Sequence, residues 1–155
     1  MTAGTESFVR PRAAAGVLFF DRNDRVLLVV PSYKSYRDIP GGYLEHGETP
    51  SEAAGREVHE ELGIAPPIGR LLVVDWAPSQ TEGDKVLFLF DGGALDDEYL
   101  GKIRLAPDEL TAYGFYDIAQ INELTIARLA RRIVHGQAAR HEGTTRYLEH
   151  GRPTG

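Results

Sequence analysis

The sequence contains no cysteine in its 155 residues. Disulfide bonds, thiolate nucleophiles and cysteine-ligated zinc sites are therefore all excluded. The chain also lacks any apolar run that approaches the roughly 20 residues needed for a helix to cross a bilayer. Its first residues, Met1 to Ser7, are small and polar and lack the apolar core of a signal peptide. These absences predict a cytoplasmic protein that does not associate with membranes.

Positive charge is also scarce in this chain. There are 17 Lys and Arg residues against 23 Asp and Glu residues, which gives a formal net charge of −6. This balance argues against a general surface for binding nucleic-acid polymers. Hydrophobic residues make up 42% of the chain, an ordinary share for a globular protein. We expect one domain over residues 8–150, loose termini at 1–7 and 151–155, and either a monomer or a homodimer.

The most informative stretch covers residues 42–64, GYLEHGETPSEAAGREVHEELGI. Thr49 is a typical helix N-cap, a proline follows at the first helical position, and Glu52 completes a capping box. Gly63 suits the position just after a helix end, where a left-handed backbone is common. An apolar residue recurs at every fourth position between these signals. The pattern predicts an amphipathic helix over residues 50–62.

A second face of this predicted helix carries Glu57, Glu60 and Glu61. Carboxylates at this spacing repel one another by about 0.2–0.5 kcal/mol per pair, unless a cation lies between them. Oxygen ligands of this kind suit Mg²⁺ or Mn²⁺. The alternative is an acidic face that is simply solvated.

The loop before the helix decides between these alternatives. Gly41, Gly42 and Gly47, together with Pro40, allow sharp turns and a close approach of the backbone to a ligand. A solvated acidic face would not need such a loop. The combination of loop and glutamates therefore favours a metal and phosphate site, with the backbone at Gly41 among the substrate contacts.

The order of residues in this stretch resembles the signature of the Nudix hydrolase family. Glycine stands at 42 and 63, glutamate at 48, Arg-Glu at 56–57 and paired glutamates at 60–61. The resemblance implies an α/β fold, an α/β/α sandwich with a mixed central β-sheet. It also implies that Glu57, Glu60 and Glu61 hold the cations, with Gly42 contributing its backbone carbonyl.

The same resemblance implies roles for the rest of the signature. Arg56 is expected to orient the carboxylates of the site and to pair with Glu48, while Gly63 is structural. In some family members the first of the three glutamates, here Glu57, is instead the general base. Glu109 matches a looser family feature and is a candidate outer metal ligand or water-orienting carboxylate. The acidic run at residues 96–98 is a weaker alternative for that role.

The remaining elements follow from apolar runs and turn residues. Strands are predicted at 12–20, 25–30, 69–76, 85–91 and 144–148, the first two as a hairpin. Residues 91–105 are expected to form a surface loop, with a short strand at 103–105. A helix is predicted over 125–140 from its apolar period. We expect its core side to carry Ile126, Leu129, Ile133 and Val134, and its solvent side to carry Arg128, Arg131 and Arg132.

Candidate substrate contacts flank the signature on both sides. The loop before Pro40 carries Tyr36 and Arg37, where a cation is able to contact phosphate or simply be solvated. The family often has a tryptophan near the position of Arg37, so this chain departs from the pattern there. Trp76 is either a packing residue or an aromatic platform for a base at the rim of a pocket.

Resemblance to the family implies metal-dependent hydrolysis of a diphosphate linkage by water attack on phosphorus. The substrate would be a nucleoside diphosphate linked to another group, such as a nucleoside triphosphate, ADP-ribose, a nucleotide sugar or a dinucleoside polyphosphate. Mg²⁺ or Mn²⁺ would be the cofactor. The alternative function is a nucleotide-sensing or nucleotide-binding domain with weak catalysis. The intact signature favours the enzyme.

Overall fold

The fold is arranged around one buried strand, β1 (Arg12–Phe20), in a computed structural model that describes residues 7–155. The other strands are β2 (Val26–Pro31), β3 (Gly41–Tyr43), β4 (Leu71–Trp76), β5 (Lys85–Ala94), β6 (Leu110–Tyr116), β7 (Arg146–Glu149) and β8 (Arg152–Pro153). The helices are α1 (Pro50–Leu62), α2 (Asp97–Lys102), α3 (Ile121–Leu124) and α4 (Ala127–Glu142), with a 3₁₀ turn at Ile118–Gln120. The expected terminal segment 1–7 lies outside the described residues except for Ser7.

The strands form a mixed sheet in the order β6-β2-β1-β5-β4-β7-β8, with β3 also paired to β1. Pairing is parallel between β1 and β5 and between β4 and β7, and antiparallel at the other contacts. The predicted hairpin of β1 and β2 is present. Strand β6 lies at one edge of the sheet and is followed in the chain by β7 and β8.

Alternation along β1 divides the core into two layers. Val17 and Phe19 face one side of the sheet, and Leu18 and Phe20 face the other, because successive side chains of a strand point to opposite faces. Helix α1 covers the first side with Ala53, Ala54, Val58 and Leu62. Helix α4 covers the second side with Leu129, Ala130 and Ile133. The α/β/α sandwich with a mixed central sheet, as expected from the sequence, is confirmed.

The ends of α1 agree with the sequence signals. The Thr49 hydroxyl accepts the Glu52 N–H at 3.2 Å, and the Glu52 carboxylate accepts the Thr49 N–H at 2.9 Å. Gly63 ends the helix with φ at 71°, and its N–H donates to the His59 carbonyl at 2.9 Å. The predicted helix over residues 50–62 is confirmed.

The segment at residues 91–105 differs from the expected loop and short strand. Strand β5 continues to Ala94, and α2 follows, with Asp96 as its N-cap accepting the Tyr99 N–H at 3.0 Å. A Glu98–Lys102 pair at 3.1 Å stabilises the single turn and a half of this helix. Residues 103–105 form no strand. The capping role of the acidic run was missed because the run reads equally well as a solvated loop.

Helix α4 also differs from its predicted sides. Val134 is 40% exposed, whereas Arg132, expected on the solvent side, is only 7% exposed. The residues after β7, expected to be loose, include β8, which pairs with β7. No helix within residues 7–155 is both long and apolar enough to span a bilayer.

A buried ion pair accounts for the orientation of Arg132. Its Nε donates to Asp75, a β4 residue that is 0% exposed, and the second oxygen of that carboxylate accepts the Gly151 N–H at 2.9 Å. Burial lowers the pKa of Arg132, while the Asp75 carboxylate acts in the opposite direction. One carboxylate thus connects α4, β4 and the C-terminal segment.

We predict that Asp75→Ala lowers the free energy of unfolding by about 3–5 kcal/mol, because it leaves a buried guanidinium without its partner. The matched control is Asp97→Ala, which removes an ion pair to Arg22 that is almost fully exposed. That substitution is expected to change stability by less than about 1 kcal/mol. Urea unfolding of both variants checks the difference, and equal effects would contradict a structural role for the buried pair.

Candidate active site

Arg56 is the centre of the hydrogen-bonded network on the exposed side of α1. Its Nε and Nη2 donate to the two oxygens of Glu48 at 2.6 and 3.0 Å, a bidentate arrangement. Its Nη1 donates to Glu57 at 2.9 Å and to Glu60 at 3.3 Å, and Nη2 also reaches the Tyr43 carbonyl at 3.1 Å. The guanidinium therefore fixes the loop before the helix, strand β3 and two of the three glutamates relative to one another.

Strand β3 approaches β1 and α1 closely at its first two residues, which are both glycine. A Cβ on Gly42 would lie 2.5 Å from a carboxylate oxygen of Glu57, and a Cβ on Gly41 would lie 2.3 Å from the Ala15 carbonyl oxygen. The Gly41 N–H donates to Glu61 at 2.8 Å. The glycine backbone thus contacts β1 on one side and two helix carboxylates on the other.

The carboxylates on this face carry more negative charge than the chain compensates. Burial is the main cause that raises the pKa of Glu61 to about 8, and the negative charges of Glu57, Glu109 and Asp38 add to it. Burial also raises the pKa of Glu57, although Arg56 opposes the shift. A buried carboxylate without a cation is costly, and the cluster is therefore suited to bind one.

The structure brings the three predicted glutamates together only in part. Glu57 and Glu61 are buried against β3, whereas Glu60 is half exposed. Within residues 7–155, no three His, Cys, Asp or Glu side chains converge closely enough to hold a metal ion. Glu57 is hydrogen-bonded to Arg56 and Glu61 to the Gly41 N–H, so the two carboxylates are held by different partners.

Glu109 lies just before β6 and close to this cluster. Its charge raises the pKa of both Glu57 and Glu61, and its carbonyl accepts the Ser32 N–H at 2.9 Å. The three alternatives are engaged elsewhere: Asp96 caps α2, Asp97 pairs with Arg22, and Glu98 pairs with Lys102. Glu109 is thus the loop carboxylate that the fold places beside the glutamates of α1.

A cleft of about 400 Å³ opens beside β3, on the side of the sheet that α4 covers. Tyr36 and Gly41, two of the predicted substrate contacts, line it, together with the backbone of Gly42. Its floor is apolar and includes Leu87 and Leu89 of β5. A partly apolar cleft with a few polar groups is typical of a small-molecule site.

The other two predicted contacts do not line this cleft. Arg37 stacks over the ring of Tyr116 at 5.3 Å, and its backbone is bound by the Thr125 hydroxyl and by the Leu124 carbonyl. Trp76 is paired within the sheet, opposite Val86 and Glu149. That these two side chains contact the substrate stays a prediction, and neither of them lines this cleft.

Sequence reasoning missed several polar groups of the cleft: Tyr43, Glu82, Lys85, Arg128 and Arg132. The Tyr43 hydroxyl donates to Glu82 at 2.6 Å, and Lys85 pairs with the same carboxylate. Hydrogen bonds from Lys85 and Tyr43 lower the pKa of Glu82 to about 2. No local signal identifies this network, because its members come from β3, the turn before β5 and β5 itself.

The model of the NUDIX domain family matches residues 10–137 of this chain. The chain is 46% identical over 66 residues to diphosphoinositol polyphosphate phosphohydrolase 3-alpha of Mus musculus. That match covers 42% of this chain and 40% of the mouse protein. The chain thus spans about two fifths of the length of the curated relatives that it matches.

Two solved structures share the fold over most of the chain. A UDP-X diphosphatase aligns with a TM-score of 0.74 at 22% identity, over 95% of this chain and 71% of that one. The NUDIX domain of Shewanella oneidensis NrtR, solved with ADP-ribose, aligns with a TM-score of 0.68 at 17% identity, over 93% and 100%. Because the family model matches well over half of its residues, the chain belongs to the NUDIX domain family.

Proposed function

We propose that this chain hydrolyses a phosphoric anhydride bond in a nucleoside diphosphate linked to a second group. The observation that carries the proposal is the junction at Gly41 and Gly42. There the glycine backbone borders the cleft and also contacts the carboxylates of Glu57 and Glu61. A diphosphate held at this junction would have its phosphorus beside the carboxylates and its substituents in the cleft.

The donor chemistry around the junction suits a hard divalent cation, and we propose Mg²⁺ or Mn²⁺. The ligands would be carboxylate oxygens of Glu57, Glu60 and Glu61 and the Gly42 carbonyl, with Glu109 as an outer ligand. The raised pKa of Glu61 supports this proposal, because a bound cation would favour its ionised form. When bound, such a cation neutralises diphosphate charge and lowers the pKa of an attacking water.

The chain's own groups would position and deprotonate that water. Glu57 is fixed by Arg56 and faces Gly42, so it is oriented towards the junction. Glu109 lies across from it on the loop before β6, and either carboxylate is able to accept the proton. The side chains of Tyr33 and Tyr36 on the cleft wall offer surfaces for the base or sugar of the substrate.

Two alternatives are weighed against this proposal. The names of the curated relatives suggest a diphosphoinositol polyphosphate as substrate. A ligand with many phosphates needs many free cations, whereas Lys34, Lys85 and Arg132 of the cleft are each paired with an acid of the chain. A nucleotide-binding domain with weak catalysis is the second alternative, and turnover measurements distinguish it from an active hydrolase.

As part of the same proposal, we expect the protein to be cytoplasmic.

We predict that hydrolysis requires a divalent cation and is lost on exhaustive chelation. Mg²⁺ or Mn²⁺ should restore it, whereas Ca²⁺ should restore little because its looser coordination positions water less well. The measurement is product release from a panel of nucleoside triphosphates, ADP-ribose, nucleotide sugars and dinucleoside polyphosphates. Undiminished turnover without metal would exclude this mechanism.

We predict that Glu61→Gln lowers turnover about a hundredfold or more, by analogy with the loss of a group that stabilises transition-state charge. The metal-free protein should melt at a higher temperature above about pH 5, because folding no longer requires protonation or burial of a carboxylate whose pKa is raised to about 8. The increase in melting temperature on adding metal should shrink, because metal binding to the native state is what raises it. Glu60→Gln tests the more exposed glutamate in the same assays.

Glu52→Gln is the matched control for both substitutions. It changes the same functional group on the same helix, but Glu52 only caps the helix N-terminus. Its turnover and its metal response should stay close to those of the unmodified protein. Equal and small effects at all three positions would indicate that the acidic face is a solvated surface without a role in metal binding.

We predict that Arg56→Ala lowers both turnover and stability, since it removes five hydrogen bonds that hold Glu48, Glu57, Glu60 and the Tyr43 carbonyl. A loss of about 1.5–3 kcal/mol in unfolding free energy is expected from the charged hydrogen bonds. Arg56→Lys should be intermediate, because it keeps the charge but not the planar fork. Unchanged melting and turnover in Arg56→Ala would contradict this role.

We predict that hydrolysis in ¹⁸O-labelled water places the label on a phosphate product. The reason is that metal and glycine backbone would hold the diphosphate, so that phosphorus is the electrophile nearest to Glu57. Mass spectrometry of the products locates the label. A label on a sugar carbon would show cleavage of a different bond.

A further inference from the structure

One cation on the wall of the cleft has no side-chain partner among the described residues. The side chain of Arg128, an exposed residue of α4, makes no hydrogen bond or ion pair with any residue in the range 7–155. The other cations that line the cleft are each paired: Lys34 with Asp38, Lys85 with Glu82, and Arg132 with Asp75. Arg128 is thus the lining cation that remains available to an anionic ligand.

The position of Arg128 is electrostatically unfavourable for the folded chain. It is the second residue of α4, at the end of the helix where the dipole is positive and cations are disfavoured. It also lies one turn before Arg132, and its charge is one of the causes that lower the pKa of that residue. No acidic side chain within residues 7–155 pairs with Arg128 to compensate for this placement, and an anionic ligand would.

The layers of the sandwich place Arg128 away from the acidic face of α1. Helix α1 covers one side of the sheet and α4 covers the other, and the cleft runs from the glycines of β3 to the first turn of α4. A diphosphate at Gly41 and Gly42 would therefore extend a substituent towards Arg128. The apolar side chains of Leu89 and Leu129 also line this cleft.

We propose that Arg128 is a specificity-determining residue that binds one anionic group on the part of the substrate remote from the diphosphate. This inference rests on the proposed function and names a subclass of its substrates. A guanidinium fork is able to bind either a phosphate monoester or a carboxylate through two parallel hydrogen bonds. Because the other lining cations are each paired with an acid, we expect the cleft to favour substrates with one additional anionic group.

The experiment compares substrate pairs that differ in one remote anionic group. UDP-glucuronic acid and UDP-glucose test a carboxylate, and 2′-phospho-ADP-ribose and ADP-ribose test a phosphate monoester. The unmodified protein should favour the member with the additional anionic group in at least one pair by about tenfold in kcat/KM, as expected for a charge-assisted hydrogen bond. Arg128→Gln should remove that preference through KM and leave the values for the member without the additional group unchanged.

Three measurements separate this role from a general effect of charge or stability. Arg128→Lys should keep part of the preference, because it retains the charge without the fork. Arg10→Gln removes another exposed and unpaired arginine outside the cleft, and it should leave the preference intact. Arg128→Gln should melt at the same or a higher temperature, because a cation is removed from a helix N-terminus.

Equal losses on both members of a pair would mean that Arg128 contacts the diphosphate, and would overturn the inference. It would also be overturned by the absence of a preference in either pair, or by a preference that survives Arg128→Gln. Equilibrium binding of the same four compounds, with metal present, measures the preference within each pair and its loss in Arg128→Gln. This test works even when none of the compounds is hydrolysed. Failure of hydrolysis alone would count against the proposed function and not against the role of Arg128.

Discussion

The guanidinium of Arg56 is the group on which the geometry of the candidate site depends. It donates five hydrogen bonds to three carboxylates and one carbonyl, and so joins the loop before α1, strand β3 and the helix itself. One positive charge nevertheless does not balance this many carboxylates. Glu61 lies beyond its reach, buried against Gly41 with its pKa raised to about 8. The fold therefore holds a carboxyl at one point where its ionised form is disfavoured, as is common at functional sites.

The location of that carboxyl follows from the close approach of β3. Residues without a Cβ at 41 and 42 allow the strand to lie between β1 and the carboxylates of α1. Strand β3 therefore lies next to both layers of helices. It contacts carboxylates of α1, and its backbone also borders the cleft beside α4. Under the proposed function, the reacting groups and the substrate-binding groups would come from different layers and would meet at these glycines.

Local features were predictable from the sequence, and this includes most of α1. Its first and last residues follow from Thr49 and Gly63, whose capping interactions involve neighbours within a few positions. The two sides of β1 likewise follow from simple alternation. The role of Arg56 was accessible only through the resemblance to a family, because spacing alone does not show which carboxylates a guanidinium will bind.

Errors arose where a residue's environment depends on a distant partner. Arg132 has the helical position of a solvated residue, and it is buried because Asp75 lies on β4, 57 positions away in the chain. The acidic run at Asp96 forms a helix cap instead of a loop. Contacts between residues that are far apart in the chain leave no local pattern in the sequence.

The two arginines one turn apart on α4 show how the same side chain takes on different tasks. Arg132 has an acid within the core and serves to join α4 to β4, while Arg128 faces the cleft and is left without an acid. The difference lies in the partners that the fold supplies, since both residues are part of the same helix face. A family that retains its reactive helix is thus able to change substrates by altering which cations on the opposite layer are paired. If the proposed function holds, the reaction would take place at α1 and the choice of substrate would depend on the first turn of α4.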